Sequence, residues 1–265
     1  MKFIVCVKLT PDTEELAEVR TDDVGAGDLG VTMVLNPWDE FAVEEALALQ
    51  ERVGGETVAV TLGPADEAEA LKRAVAMGIE EAVLVSDPTF EGSDAWGAAE
   101  ILAQSIRSLG DYGLILTGRQ SVDGNSGLVP PGLAVRLGVP FVSQVARVVE
   151  ITEDSITVMR ALDAGVQTVR VPLPAVISVS KEINEPRYPN FIGIRKAARQ
   201  QYPVSSAADL PGLDGKLVGA TNARLTWTQL RKPAARTGRC EMISGATPAE
   251  QAANLVERLI ADKVI

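Results

Sequence analysis

Histidine is absent from this sequence, and its absence removes a large share of possible chemistry. There can be no Ser-His-Asp or Cys-His nucleophile pair and no H-E-x-x-H zinc site. The side chain best suited to proton transfer near neutral pH is also missing. Cysteine is scarce: Cys6 and Cys240 lie far apart and form no C-x-x-C pair, which excludes a dithiol redox motif and a sequence-local zinc site. No apolar run approaches the ~18 residues of a membrane span. Cations are outnumbered, with 25 Lys and Arg against 36 Asp and Glu, and the net charge of −11 repels nucleic-acid phosphates and anionic membranes. The glycine-bearing stretch Gly118–Pro131 matches neither G-x-G-x-x-G nor G-x-x-x-x-G-K-S/T, and its Gly124-Asn125-Ser126-Gly127 has the wrong spacing for G-x-S-x-G. Whatever this chain does calls for no acid-base catalyst of its own.

What is present builds a fold. Apolar residues make up 46% of 265 positions, enough for one large α/β domain with an appendage, or two small domains. Met1–Lys8 reads as a first strand and not as a signal peptide, so the cytoplasm is the expected location. Strand-length apolar runs at Phe3–Val7, Thr57–Leu62, Ala82–Ser86 and Leu114–Thr117 alternate with helical segments at Pro37–Val53, Ala65–Met77 and Asp94–Leu109. That alternation predicts a mostly parallel, Rossmann-like sheet flanked by helices. Thr10–Gly30 reads as a polar excursion or hairpin, with Val31–Leu35 a further possible strand. Asn36 can cap the helix that follows, Pro37 suits its first turn, and Trp38, Phe41, Ala42, Ala46, Leu49 and Val53 share one face. Beyond Pro140, four short β-like runs without intervening helices, Val145–Val149, Ser155–Met159, Gln167–Val171 and Ala175–Val179, predict added antiparallel strands. Asn184–Phe191 is a proline-bearing loop, and a final amphipathic helix spans Pro248–Asp262.

The stretch Gly118–Pro131 follows a buried strand and precedes a helix expected over Gly132–Leu137. A loop rich in Gly, Asn and Ser at a strand's carboxyl end is where open α/β sheets bind nucleotides, because glycines admit a phosphate and helix-start amides favour it. From the residues alone it reads equally as a phosphate cradle or as a plain connection.

Three segments together resemble one family. Asn36-Pro37-Trp38-Asp39-Glu40-Phe41-Ala42-Val43-Glu44-Glu45-Ala46 is similar to the N-P-F/W-x-E-x-A-V-E-E-A stretch of electron-transfer flavoprotein β subunits, the group that includes FixA. Gly118-Arg119-Gln120 with Asp123-Gly124 resembles its G-K/R-Q-x-I/V-D loop. Leu173-Pro174-Ala175-Val176 through Asn184-Glu185-Pro186-Arg187-Tyr188 resembles its L-P-A-V…N-E-P-R-Y segment, and Arg236-Thr237-Gly238 fits its R-T-x-G turn.

The resemblance implies an adenine-nucleotide α-hydrolase-like α/β domain over residues 1–196, with a recognition loop over 184–196. Residues 197–265 would form an arm that packs on an α subunit. It implies an FAD shared with that α subunit, flavin dehydrogenases as electron donors and a quinone-linked oxidoreductase as acceptor, with no nucleic acid and no membrane insertion. The β subunit would hold its own nucleotide, AMP or a second FAD. By position, its lining is Cys6, Asn36, Pro37, Trp38, Asp39, Leu62, Gly118, Arg119, Gln120, Ser121, Val122, Asp123, Gly124, Asn125, Ser126, Gly127, Leu128 and Val129. Cys6 and Leu62 read equally as strand-end core, and Asp39 as a helix-start charge.

The loop departs from the family's AMP-binding type, which carries Asn, Gln and Thr where Gly127, Leu128 and Val129 stand and Gly in place of Pro130. Arg119-Gln120, Asp123-Gly124 and Pro131 look closer to the bifurcating branch, so that branch's second FAD is the alternative. A regulatory nucleotide-binding module without a redox role is the rival from another class. Asn184, Glu185, Pro186, Arg187, Tyr188 and Phe191 would dock the partner dehydrogenase, with Phe191 as the apolar anchor. Trp38 takes the place of an aromatic close to the flavin ring, and Ala161 that of a glutamate linking β to the flavin domain.

Overall fold

A computed structural model describes residues 1–20, 24, 29–225, 228–229, 231–234 and 240–265. The chain forms two compact units, Met1–Leu230 and Arg231–Ile265. The first begins with β1 (Lys2–Cys6), β2 (Leu9–Pro11), β3 (Met33–Leu35), α1 (Pro37–Val53), β4 (Glu56–Leu62) and α2 (Ala68–Met77). It continues through β5 (Glu81–Val85), α3 (Ala95–Ser108), β6 (Leu114–Gly118), α4 (Val129–Leu137) and β7 (Phe141–Ile151). Then come β8 (Ser155–Leu162), β9 (Gly165–Pro172), β10 (Ala175–Val179), α5 (Phe191–Arg199) and β11 (Val204–Ser205). The second unit carries α6 (Pro248–Ala261).

Nine strands make one sheet in the order β11-β5-β4-β1-β6-β10-β7-β8-β9, parallel from β11 to β7 and antiparallel from β7 to β9. The fold is therefore the expected Rossmann-like α/β architecture. One strand differs: Ala175–Val179, expected among the antiparallel additions, is inserted parallel between β6 and β7. Its uniformly buried residues explain the placement, since a strand covered on both faces needs no alternation.

β1 shows how the layers form. Phe3, Val5 and Val7 enter a core shared with Ala42, Val43 and Leu47 of α1 and Leu71 and Val75 of α2. Ile4 and Cys6 face the other way, onto Ile101, Leu102 and Ile106 of α3 and Leu133 of α4. Period-two alternation thus divides one strand between two cores, and each fully buried Phe or Ile contributes roughly 1.5–3 kcal/mol. The chain runs from β1 outward to β4 and β5, then returns through α3 to β6 on the other side of β1. The crevice between the carboxyl ends of β1 and β6 is thus a topological switch point.

The strand expected within Val31–Leu35 is present as β3, while other local expectations are revised. The Thr10–Gly30 excursion is bracketed by β2 and β3, which pair antiparallel. Residues 65–67 form a 3-10 turn before α2 begins at Ala68. On α1, Val53 is 46% exposed and falls outside the buried stripe, whereas Glu44 and Glu45 are buried. Helix α4 starts at Val129, three residues earlier than expected, because Pro130 and Pro131 fit a first helical turn that needs no N–H donors.

Phe191 opens α5 instead of ending a loop, with Asn190 Oδ1 accepting from Gly193 N–H at 2.8 Å. α5 lies so close to α2 that a Cβ at Gly193 would stand 2.2 Å from the Ala76 carbonyl oxygen. The 196/197 boundary falls inside this helix. Beyond it, β11 joins the sheet edge beside β5, and Leu210 and Val218 are buried in the α3-side core. The early part of the expected arm thus completes the first unit. In the second unit, Thr247 Oγ1 caps α6 by accepting from Glu250 N–H, and Leu255, Val256 and Ile260 are exposed. Arg236-Thr237-Gly238 lies outside the described residues. Among the described residues no helix is long and apolar enough to cross a membrane.

Candidate functional site

A cleft of about 770 Å³ opens at the switch point, across the carboxyl ends of β1, β4, β5 and β6. Of the residues expected there, it gathers Cys6, Asn36, Asp39, Leu62, Gly118, Gln120, Ser121, Ser126, Gly127, Leu128 and Val129. Pro37, Trp38, Arg119, Val122, Asp123, Gly124 and Asn125 stand outside the lining. Beyond the expected residues, the cleft is lined by Lys8, the Gly63-Pro64-Ala65 turn after β4, and the wall after β5 that includes Ser86, Asp87, Phe90, Glu91 and Ser93. Ala98 and Leu102 of α3 complete the apolar side. The available signal for the strand-end segments was position: they follow β1, β4 and β5, parallel strands on one side of the switch point.

Asn36 does not cap its own helix. Its Nδ2 donates to the Gln120 carbonyl oxygen at 2.9 Å and its Oδ1 accepts from Val122 N–H at 3.2 Å, so it ties the start of α1 to the loop after β6. Lys8 Nζ pairs with Asp123, and Gln120 Nε2 donates to Asn125 Oδ1 at 2.9 Å. Asp123, Gly124 and Asn125 are therefore used to hold the loop. Burial opposes ionisation of Asp123, but the Lys8 and Ser121 hydrogen bonds and the Lys8 charge hold its carboxyl below the usual range.

Asp39 is 6% exposed. Its Oδ2 accepts from Lys8 N–H at 3.1 Å and its Oδ1 from Gly118 N–H at 3.2 Å. Burial raises its pKa to about 7 against the opposing pull of these bonds, of Asn36 and of the Lys8 charge. Burial, aided by the Asp39 charge, likewise pushes the Cys6 thiol up to about 12, so it stays protonated. Gly118 is required by contact: a Cβ there would meet Asp39 Oδ1 at 2.4 Å and the Trp38 carbonyl carbon at 2.6 Å.

The cleft's chemistry fits an adenine nucleotide. Leu62, Pro64, Phe90 and Leu102 offer apolar walls for a flat base, while the Ser126 hydroxyl and the amides around Gly127 offer donors. No side chain caps α4, although Pro130 and Pro131 contribute no N–H to its start. Outside the cleft, the Arg119 guanidinium lies 5.7 Å from the Trp38 ring centroid, and the Trp38 and Phe41 rings are 6.4 Å apart.

The recognition-loop residues separate into two groups. Asn184 Nδ2 donates to the Phe41 carbonyl oxygen and to Glu45, and Arg187 is bound to Glu44 and Glu51, so both hold the loop against α1. Tyr188, Phe191 and Ile192 stand out, at 91%, 73% and 79% exposure. Glu185 is exposed and Pro186 half-buried between the groups. Ala161 sits on β8, opposite Val166 of β9.

Comparison with known proteins agrees with these features. Residues 27–210 match the family model described as the electron transfer flavoprotein domain. The chain is 35% identical over 267 residues to the electron transfer flavoprotein subunit beta of Thermoanaerobacterium thermosaccharolyticum, covering 100% of each. It is also 35% identical to the caffeyl-CoA reductase-Etf complex subunit CarD of Acetobacterium woodii, over 98% of each chain. Protein FixA of Bradyrhizobium diazoefficiens is 35% identical across 95% of this chain and 89% of its own. The chain belongs to the electron transfer flavoprotein family, as a member of its β-subunit and FixA branch.

Proposed function

We propose that this chain is the β half of a cytoplasmic heterodimer that shares one FAD with an α subunit. The pair would carry electrons from flavin dehydrogenases to a quinone-linked oxidoreductase. The observation that carries this reading is full-length similarity to a β subunit in a chain whose switch-point cleft suits an adenine nucleotide. When bound, FAD would supply the electron chemistry. The protein's own residues bind, orient and present.

In this reading AMP occupies the cleft. Leu62, Pro64 and Phe90 would flank the base, and Ser121, Ser126 and the Gly127–Val129 backbone would meet the ribose and phosphate. Trp38 and Arg119, outside the cleft, would face the shared flavin. Tyr188, Phe191 and Ile192 would enter an apolar recess of the dehydrogenase, held in place by Asn184 and Arg187, with Glu185 and Pro186 shaping the loop. The arm, through the exposed face of α6, would pack on the α subunit. A second FAD in place of AMP is the other reading, supported by the Arg119-Gln120, Asp123-Gly124 and Pro131 pattern. Extracting the nucleotides from the co-expressed complex tests both. One FAD and one AMP per heterodimer supports simple transfer, two FAD supports bifurcation, and neither nucleotide defeats the redox reading.

A further inference from the structure

Asp39 directs its carboxylate at the chain's own strand-end amides. The N–H groups of Lys8, just past β1, and of Gly118, at the end of β6, converge on its two oxygens at 3.1 and 3.2 Å. In open parallel sheets the switch-point crevice is where ligands approach, and converging backbone N–H groups make an anion-binding concavity. Here that concavity is filled by a side chain delivered from the first turn of α1. It has little room for anything else, since even one carbon added at Gly118 would lie 2.4 Å from Oδ1.

We propose that Asp39 is a positioning residue: its carboxylate occupies the anion place between β1 and β6, keeps a nucleotide's phosphate off those two amides, and couples nucleotide binding to proton uptake. This rests on the nucleotide reading of the cleft. The titratable groups that interact with Asp39 are Lys8 and Cys6 from the β1 side; Glu40 is its neighbour in sequence, Arg119 follows Gly118, and Asp123 is the partner of Lys8. Cys6 is neutral, Lys8 is paired with Asp123, Glu40 with Arg73, and Arg119 lies against Trp38. Among these groups, Lys8 is the cation whose charge acts on Asp39. A phosphate entering the same cleft adds a like charge, which favours the protonated acid. The protonated carboxyl still accepts through its free oxygen lone pairs, so the clamp on the amides can survive the change.

The test uses the heterodimer after removal of any co-purified nucleotide. ADP-ribose is the probe, because its pyrophosphate does not titrate near neutral pH, and uncharged adenosine is the control. Calorimetry in two buffers of different ionisation heat reads the protons taken up. If the bound anion raises the Asp39 pKa by about one unit, ADP-ribose affinity should fall about fivefold between about pH 6 and pH 8. Fractional proton uptake should accompany binding near pH 7, while adenosine affinity should stay level. Asp39→Asn should abolish the slope and the uptake. ADP-ribose binding without slope or uptake in the wild-type complex overturns the proposal and leaves the nucleotide reading standing. A slope retained in a folded Asp39→Asn complex also overturns it. Failure of both probes to bind at every pH overturns the nucleotide reading, and the proposal with it.

Discussion

Arg187 grips Glu44 along one edge of its guanidinium, Nε at 2.8 Å from Oε2 and Nη2 at 2.9 Å from Oε1, and its backbone N–H reaches Oε2 at 3.0 Å. Asn184, three residues earlier, donates to Glu45 at 3.2 Å. The two adjacent glutamates on α1 are thus the receptors for the loop leading to α5, and motifs 139 and 143 residues apart form one structural unit. Breaking the pair strands a carboxylate whose side chain is 11% exposed. Because Arg187 is itself partly exposed, Arg187→Ala should cost about 1–3 kcal/mol, read by urea unfolding. Arg187→Lys should recover only part, since an ammonium cannot reproduce the two-point contact. Full recovery by lysine would show that charge alone holds the loop.

Gly118→Ala should destabilise the first unit by about 1–3 kcal/mol through overpacking against Asp39 and Trp38. The same change should release the cleft nucleotide, because the two clamped elements carry its lining. Thermal melts and nucleotide content check the pair of effects. An unshifted melting temperature would mean that the close approach relaxes at little cost.

Phe191→Ala should leave stability within about 0.5 kcal/mol, since the ring is 73% exposed. It should weaken the interaction with a dehydrogenase about tenfold, as expected for loss of an aromatic interface anchor. The effect is read as the concentration dependence of electron uptake. An unchanged dependence would remove Phe191 from the docking surface.

Asp39 gives the fold a pH dependence of definite sign. Its native pKa of about 7 exceeds the ordinary 3.8, so between those values the folded chain holds a proton that the unfolded chain has released. This contribution is fully present at low pH, declines as pH rises, and is exhausted once both states are ionised above about 7. Relative to wild type, Asp39→Asn should therefore gain stability steadily from about pH 5 to pH 7 and level off beyond. Parallel stability profiles would contradict the raised pKa.

The alternation of strand and helix in the first half was legible because the buried strands are short, largely apolar runs, and those of Thr57–Leu62 and Leu114–Thr117 are followed directly by glycine. The candidate site was legible at the 118–131 loop, where Gly, Asn and Ser follow a buried strand, whereas Asn36 and Asp39 entered it only through the family resemblance. It was not legible at Lys8, Ser86 or Phe90, whose membership in the cleft depends on which strands become neighbours. Long-range pairing also decided the fates of Asn36 and Arg187. Asn36 is an ordinary cap by sequence, yet its side chain serves a loop more than eighty residues away. Arg187 sits in a segment that looks like a surface loop, but its guanidinium is bound to α1. Local rules supply candidates for a polar side chain, and the partner that wins is set by tertiary contact.

The central claim is tested most directly by co-expressing the chain with an electron transfer flavoprotein α subunit and sizing the product while following flavin absorbance. The account predicts a yellow complex of one α to one β chain that bleaches when a flavin dehydrogenase and its substrate are added. A colourless chain that elutes alone in the presence of the α subunit would contradict it.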